Sequence, residues 1–400
     1  MVRHVSLFSQ LLTLIDRQRF YELVYRHKAH RHTKGFDSWN HFVAMLFCQL
    51  AQAKSLREIC GGLACCLGKL RHLGLVKGPN KSTLSYANAH RPWQMYRDLF
   101  YETLAWTRHQ MPGKHKFRFK NKLLSLDSTT ISLCLSLFPW AKYRRTKGAV
   151  KLHLLLDHDG YLPTFALITD GKKSDVTVAK QLTFAKGSII VMDRGYIDYR
   201  LFSRWTQDGV FFVTRMKDNT DYIVVEQRDI PERRNIISDD LIELAGYKAH
   251  KDCPHVLRRI VLWDAEKQQE IVFFTNHLKF GATTIAAIYK DRWQIELFFK
   301  AIKQNLKIKT FVGTSENALY IQIWTALIAM LMIKFLKFKS TFGWSLSNLV
   351  ALLRWNLFTY RDLWQWIDDP FETLPQIPIS AHYQLPLFDS GQHLLGKNTT

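Results

Sequence analysis

Between Lys122 and Asn276 the chain alternates short apolar runs with turns and amphipathic segments, whereas on either side the apolar positions recur at helical spacing. Leu123 to Leu133, Ala149 to Asp157 and Leu162 to Thr169 predict three strands. The last two are joined by Asp157-His158-Asp159-Gly160-Tyr161, a hairpin-type turn, so the opening is antiparallel. Asp175 to Phe184 predicts a helix, Ser188 to Met192 a buried strand, Tyr199 to Thr206 a second helix and Val210 to Arg215 a fifth strand. Residues 219 to 270 depart from this alternation: Tyr222 to Glu226 and Val256 to Asp264 predict strands within a polar, charged stretch, and Ile271 to Asn276 returns to the core.

The flanks read as helical. Ser38 to Ala51 is apolar at helical spacing, and Ser55 with Glu58 forms a capping-box pattern that opens a helix towards Leu67. Gly78-Pro79 breaks the chain, and Asn80 or Ser82 caps a short helix through His90, before Arg91-Pro92. Met111 to Lys122 is a basic linker. Helices are expected over about Thr283 to Leu306, Ala318 to Phe338 and Trp344 to Trp366, with a loose tail after the prolines that begin at Pro370. Three antiparallel strands followed by strands alternating with helices is the order of the ribonuclease H-like fold. The expected fold class is therefore α/β: a ribonuclease H-like mixed five-stranded sheet flanked by helices, with a β-rich insertion before the glutamate-bearing helix and an all-α N-terminal domain. The corresponding divisions are a helical basic domain at 1–118, a core at 119–218 and 271–340, the insertion at 219–270, a C-terminal helical region at 341–385 and a tail at 386–400.

Composition narrows the function. Four hundred residues exceed one typical core, and 47% hydrophobic with 22% charged residues excludes a mainly disordered chain. The net charge of +22 favours a polyanionic partner, and residues 1–122 carry +15 of it, with 21 Lys and Arg against 6 Asp and Glu. Helix, turn and short polar helix is a helix-turn-helix order, with Lys81, Thr83, Ser85, Asn88 and Arg91 available to phosphates or base edges. The alternative is a helical packing domain with a solvated basic face. The run Arg26-His27-Lys28-Ala29-His30-Arg31-His32 reads as a basic loop, because interleaved cations disfavour a bound dication. Arg17, Arg19 and Glu22 interrupt the first apolar stretch too early for a secretory signal, which points to the cytoplasm. The apolar run Ile321 to Ile333 is shorter than the ~20 residues a bilayer requires and reads as a buried helix, so no membrane is expected. Six cysteines without paired spacing read as reduced core thiols.

Two acids stand out. Asp127 interrupts the otherwise uncharged Leu124-Ser125-Leu126-Asp127-Ser128-Thr129-Thr130, and Asp193 ends the apolar strand Ile189-Ile190-Val191-Met192 before Arg194-Gly195-Tyr196. The carboxyl ends of buried strands are where open α/β sheets bind ligands, although either acid alone also suits a salt bridge. On the long helix, Tyr289, Arg292, Glu296 and Lys303 fall within roughly 60° of one another at ~100° per residue. That stripe borders the apolar face of Ile288, Ile295, Phe299, Ile302 and Leu306; the bland alternative is a solvated face with Glu296 and Lys300 as an i,i+4 pair.

The spacing Tyr-(x2)-Arg-(x3)-Glu-(x6)-Lys resembles the signature of transposases of the insertion sequence four family, and Asp193-Arg194-Gly195-Tyr196 resembles their second-aspartate motif. The resemblance covers most of Leu123 to Leu306 and extends to the β-rich insertion and the helical front. It implies a DDE transposase in which Asp127, Asp193 and Glu296 hold two Mg2+ ions, with Mn2+ able to substitute, while Tyr289, Arg292 and Lys303 hold phosphates. It further implies cut-and-paste transposition on double-stranded DNA, at terminal inverted repeats and target, by a homodimer in a synaptic complex within a bacterial, nucleoid-associated setting. Trp263 in the insertion is a candidate to stack on a flipped base, against the alternative of a core tryptophan. A general ribonuclease H-like nuclease or a non-catalytic DNA-binding protein derived from a transposase are the competing readings.

Overall fold

The computed structural model describes residues 5–375 apart from 32, 34, 67, 114, 115, 145, 146 and 233, so His32 and the expected tail at 386–400 lie outside the described residues. Its strands are β1 (Leu123–Leu133), β2 (Lys142–Arg144), β3 (Lys147–Asp157), β4 (Leu162–Asp170), β5 (Ile189–Val191), β6 (Phe211–Arg215), β7 (Tyr222–Gln227), β8 (Ile236–Leu244), β9 (Leu257–Asp264) and β10 (Gln269–Thr275). Its helices are α1 (Leu7–Leu12), α2 (Arg17–Arg26), α3 (Ser38–Leu50), α4 (Leu56–Ala64), α5 (Lys81–His90), α6 (Trp93–Gln110), α7 (Asp175–Ala179), α8 (Tyr199–Gln207), α9 (Tyr247–Asp252), α10 (Ala282–Asp291), α11 (Trp293–Asn305), α12 (Glu316–Lys339), α13 (Leu346–Asn356) and α14 (Leu363–Asp368).

The five expected strands lie in the order β4-β3-β1-β5-β6, antiparallel across β4-β3-β1 and parallel across β1-β5-β6. This is the ribonuclease H-like order. The sheet does not stop at five strands. β10 pairs antiparallel with β6, and β9, β8 and β7 of the insertion follow in turn, so with β2 paired to β3 the same sheet has ten strands. The open edge of β6 is thereby paired, which removes a row of unsatisfied backbone groups.

Three helices differ from expectation. The helix at Asp175 ends at Ala179 because the chain turns out to lay Phe184 against Trp205, with ring centroids 5.5 Å apart. The expected helix from Thr283 to Leu306 is two helices that meet at Arg292. The stretch from Trp344 to Trp366 is divided where Leu357 and Thr359 accept backbone hydrogen bonds from Phe8 and Leu7, tying the C-terminal region to α1. The cysteines also divide: Cys48 and Cys253 are buried, whereas Cys65 and Cys134 are exposed thiols.

α12 organises the main core. Ser315 caps it by accepting the N–H of Ala318, Glu316 lies in its first turn, and Lys337 and Lys339 lie in its last, each matching the helix dipole. Its apolar residues pack on α3, α5 and α6 in one cluster that also takes in Ile131, Leu152, Leu154 and Ile168 of the sheet. That cluster crosses the expected boundary at residue 118. By length and composition α12 could cross a membrane, but 89% of its apolar window is buried inside the molecule.

His41 of α3 is completely buried. Its Nε2 donates to Asn88 Oδ1 (2.7 Å) and its Nδ1 accepts from the Tyr96 hydroxyl (2.8 Å), which fixes the neutral tautomer. Burial, then the Arg91 guanidinium, lowers its pKa to about 3. In the unfolded chain the ring takes up a proton near pH 6.5, whereas in the folded protein it does not until about pH 3. The stability it contributes is therefore complete above pH 6.5 and is lost below it, at ~1.4 kcal/mol per pH unit. Urea unfolding between pH 7 and pH 4.5 should show this slope, and His41→Phe should flatten it by one proton while lowering stability at pH 7 by ~1–3 kcal/mol. An unchanged slope in the variant would mean that His41 is protonated in the folded state.

Candidate active site

β1 and β5 run parallel with Ser125 opposite Val191. Two residues further along each chain come Asp127 and Asp193, so one register sets the two acids side by side at the carboxyl end of β5. Asp127 Oδ1 accepts the N–H of Ser128 (2.7 Å). Asp193 caps the single 3-10 turn Arg194–Tyr196, its Oδ1 accepting from the Gly195 N–H (2.9 Å). A Cβ on Gly195 would sit 3.0 Å from that oxygen, so the residue after Arg194 must be small for the aspartate to fold back over the turn.

The third acid comes from α11. Glu296 lies in its first turn and accepts a hydrogen bond from Arg292 Nη2 (2.6 Å), while Arg292 Nη1 lies 3.6 Å from Asp127 Oδ2. One guanidinium thus bridges two of the three carboxylates, and Glu296 takes Arg292 as its i,i+4 partner. Burial is the main cause that pushes the Asp127 carboxyl up to about 7; the Ser128 N–H and Arg292 oppose it, and Asp193 and Glu296 add to it. Arg292 is only 13% exposed, and its Nε is buried with no hydrogen-bond partner among the described residues. Its guanidinium carbon is 5.5 Å from the centroid of the Tyr289 ring, which packs on Phe273. Burial raises the Tyr289 phenol above its ordinary range despite Arg292.

Lys303 lies two turns beyond Glu296. Its ammonium donates to Thr129 Oγ1 (2.6 Å) and the Thr130 carbonyl (3.0 Å), tying α11 to β1 next to Asp127. Asp127, Thr129, Glu296 and Lys303 line an open cleft of about 440 Å³, together with Lys300 and Lys309. The motif spacing did not single out Thr129, Lys300 or Lys309. Lys300 was visible as the residue one turn after Glu296, but Thr129 and Lys309 are brought in only by the fold. Asp175 was also missed; it accepts from Ser128 Oγ (2.8 Å) and Lys151 Nζ (3.2 Å) at the start of α7.

The remaining expected residues are not gathered here. Lys81 and Ser85 are exposed on α5, Thr83 is half-buried and Asn88 is buried. Arg91 is 8% exposed, and its guanidinium donates to the carbonyls of Phe36 and Asp37, so it clamps the entry of α3 and has no open face for DNA. Trp263 lies on β9 opposite Glu270 and is 37% exposed, so it is not part of the core. The other acids have structural partners: Asp157 pairs with Lys122 (2.7 Å), Asp170 accepts turn N–H groups, and Asp198 caps α8.

Among the described residues, no group of three or more His, Cys, Asp or Glu side chains is arranged to hold a metal ion. The donor set still fits a hard dication in kind. Three carboxylates provide only oxygen ligands, and a dication would offset the cost of charge at Asp127, which arises mainly from burial and to a lesser extent from Asp193 and Glu296.

Residues 118–332 match the family model described as the transposase DDE domain. The chain belongs to the DDE transposase family. Residues 3–76 match a second model, described only as a domain of unknown function. Similar relatives include the candidate transposase y4zB of Sinorhizobium fredii, 34% identical over 64% of this chain and 71% of that protein. A protein named for insertion sequence element IS5377 of Geobacillus stearothermophilus is 33% identical over 56% of this chain and 59% of its own length. One named for element IS4SA of Synechocystis is 24% identical over 68% of this chain and 76% of its own. The synaptic complex of piggyBac transposase with hairpin DNA overlays at a TM-score of 0.45 and 11% identity, over 88% of this chain and 79% of that one, and at that level adds nothing to the assignment. The transposase is a DNA-acting enzyme of the DDE superfamily, and its family uses divalent metal.

Replacing Arg292 by lysine keeps the charge but removes the planar fork that reaches Asp127 and Glu296 together. Arg292→Lys should slow DNA cleavage by ~10–100-fold, the loss of one charge-assisted hydrogen bond, without raising the Mg2+ concentration needed for half-maximal rate. Cleavage rate titrated against Mg2+ separates the two effects, and a wild-type rate at every concentration would remove Arg292 from the phosphate site.

Proposed function

We propose that this DDE transposase performs cut-and-paste transposition: two copies bring together the inverted repeats at the ends of an insertion sequence, cleave both and join the 3′ ends to target DNA. The reading is supported by the register of β1 and β5, which carries Asp127 and Asp193 two residues beyond the same pair, and by Arg292, which links Asp127 to Glu296. Asp127, Asp193 and Glu296 would hold Mg2+, with Mn2+ as a substitute, and the metal would supply activation of the attacking oxygen and neutralisation of the leaving one. Arg292 would draw a phosphate oxygen by the charge of its guanidinium beside Asp127 and Glu296, Lys303 would hold β1 and α11 at the right separation, and Tyr289 would pack against the guanidinium. The reaction would take place in the bacterial cytoplasm, at the nucleoid.

Sequence recognition would fall to the exposed face of α5, where Lys81 and Ser85 are free to meet DNA. Arg91 is not among these contacts. Trp263 would stack on an extruded base at the element end, a role its exposure permits.

Asp127→Ala, Asp193→Ala and Glu296→Ala should each reduce cleavage of the flanking junctions by at least ~1,000-fold, while DNA binding and its salt dependence persist. Cleavage without preference for the element's ends would favour a general nuclease. Lys81→Ala should weaken binding and lower the salt slope by about one counterion. Unchanged binding in a gel-shift titration would take α5 out of the interface. Trp263→Ala should lower the yield of excised ends, and an undiminished yield would leave Trp263 a surface residue only.

A further inference from the structure

Beneath the acid cluster lies a buried hydrogen-bonded chain that the transposase reading does not use. His158, in the turn between β3 and β4, donates from Nδ1 to Asp291 Oδ2 (2.5 Å), and its Nε2 lies 2.7 Å from Ser125 Oγ. Asp291 also accepts from Lys116 Nζ (2.5 Å) and the Tyr161 hydroxyl (3.1 Å). Lys334 of α12 reaches up to the Tyr161 carbonyl (2.8 Å). Burial raises the Asp291 carboxyl, but the hydrogen bonds from His158 and Lys116 outweigh it and hold it below the ordinary range, so a carboxylate accepts them.

Serine, histidine and aspartate in this order are the parts of a nucleophilic triad. Here Ser125 has no exposed surface, and the side chains of His158 and Asp291 are 3% and 1% exposed, so no substrate reaches the hydroxyl. The placement points elsewhere. Ser125 is two residues before Asp127 and therefore on the same side of β1, and Asp291 immediately precedes Arg292. The two ends of the chain are thus fastened within two residues of the two groups whose separation defines the site. The helix break at Arg292 occurs where Asp291 is drawn to His158, Tyr161 and Lys116, and the Arg292 N–H bonds to the Tyr289 carbonyl in a tight turn.

We propose that Asp291, acting through His158 and Ser125, is a positioning residue that fixes the α10–α11 junction to β1 and so sets Arg292 against Asp127 and Glu296. It rests on the reading of this cluster as the cleavage site. Asparagine at this position loses the negative charge that Lys116 and His158 meet and offers one acceptor atom in place of two, which loosens the tie. Arg292 then shifts while the acids stay on their strand and helix.

The test uses the full chain and a supercoiled plasmid carrying the junctions that flank this reading frame, with Mn2+. Asp291→Asn should cleave ~10–100-fold more slowly at saturating DNA, the scale of loss from a ~1 Å misplacement, with DNA affinity unchanged. If Asp291 works through Arg292, its effect and that of Arg292→Lys are not additive: the double variant should be within ~3-fold of the slower single variant. Losses that multiply, or a wild-type rate for Asp291→Asn, overturn the proposal. His158→Asn keeps a donor for Asp291 but loses the link to Ser125, and it carries the same cycle if Asp291→Asn fails to fold, as judged by circular dichroism and melting. Glu296→Ala separates this proposal from the one beneath it. If that variant is inactive while Asp291→Asn is not impaired, only the positioning role fails; if Glu296→Ala cleaves normally, the cleavage site itself is misassigned.

Discussion

Asp127 is buried beside two further acids, Asp193 and Glu296, and the cost of carrying charge there is the constraint to which the surrounding structure answers. Asp127 and Asp193 cannot be moved apart, because the parallel register of β1 and β5 sets their height and Gly195 folds Asp193 back on its own turn. The charge is instead balanced by a cation delivered from the helix layer. Arg292 is suited to this because its planar fork can reach both Asp127 and Glu296 and remains protonated at any accessible pH. A lysine there would offer a point charge to one of them. The same cluster that makes a dication favourable thus holds an arginine close to it, and a phosphate entering the cleft would find both the cation and the acids.

Holding that arginine requires a rigid helix layer, and the rigidity comes from the apolar packing around α12. Its cluster runs from α1 and α3 through α6 to the sheet and to α13 and α14, so the basic front is fused to the catalytic half. Gln49 of α3 donates to the Gln322 carbonyl of α12 (3.2 Å) and accepts from the Lys307 N–H (2.8 Å), while Gln322 donates to the carbonyls of Lys307 and Thr310. Two buried amides therefore satisfy the backbone that follows α11. DNA held on the front helices would be held in a fixed relation to the acids, without a flexible joint between recognition and chemistry.

Much of this was legible from the sequence, for identifiable reasons. Alternation fixed β1, β3 and β4 to within a few residues, and the two aspartates were conspicuous because Asp127 interrupts an uncharged strand and Asp193 ends an apolar one. What periodicity could not reveal was anything decided by a distant partner. The helical pattern from Thr283 to Leu306 runs through Arg292 without proline or glycine, and the break falls next to Asp291, whose partners lie more than a hundred positions away. Arg91 looked like a phosphate contact because cations after a polar helix usually are exposed, yet two carbonyls at the mouth of α3 claim it. A tryptophan within a strand is more often core, and only its outward position on β9 shows that Trp263 is not.

The charge of the front gains a different meaning once its partners are known. Lys122 and Arg108 face Asp157 and are locally neutralised, and Arg19 meets Glu102. Lys69, by contrast, donates to a backbone carbonyl, and Arg17 stacks 3.6 Å from the centroid of Trp39. These interactions fix the guanidinium or ammonium in place without cancelling its charge. The front therefore keeps most of its excess positive field while losing part of its side-chain freedom. A polyanion approaching it meets cations whose ordering entropy has already been spent in folding, which favours a defined docking geometry over loose electrostatic association.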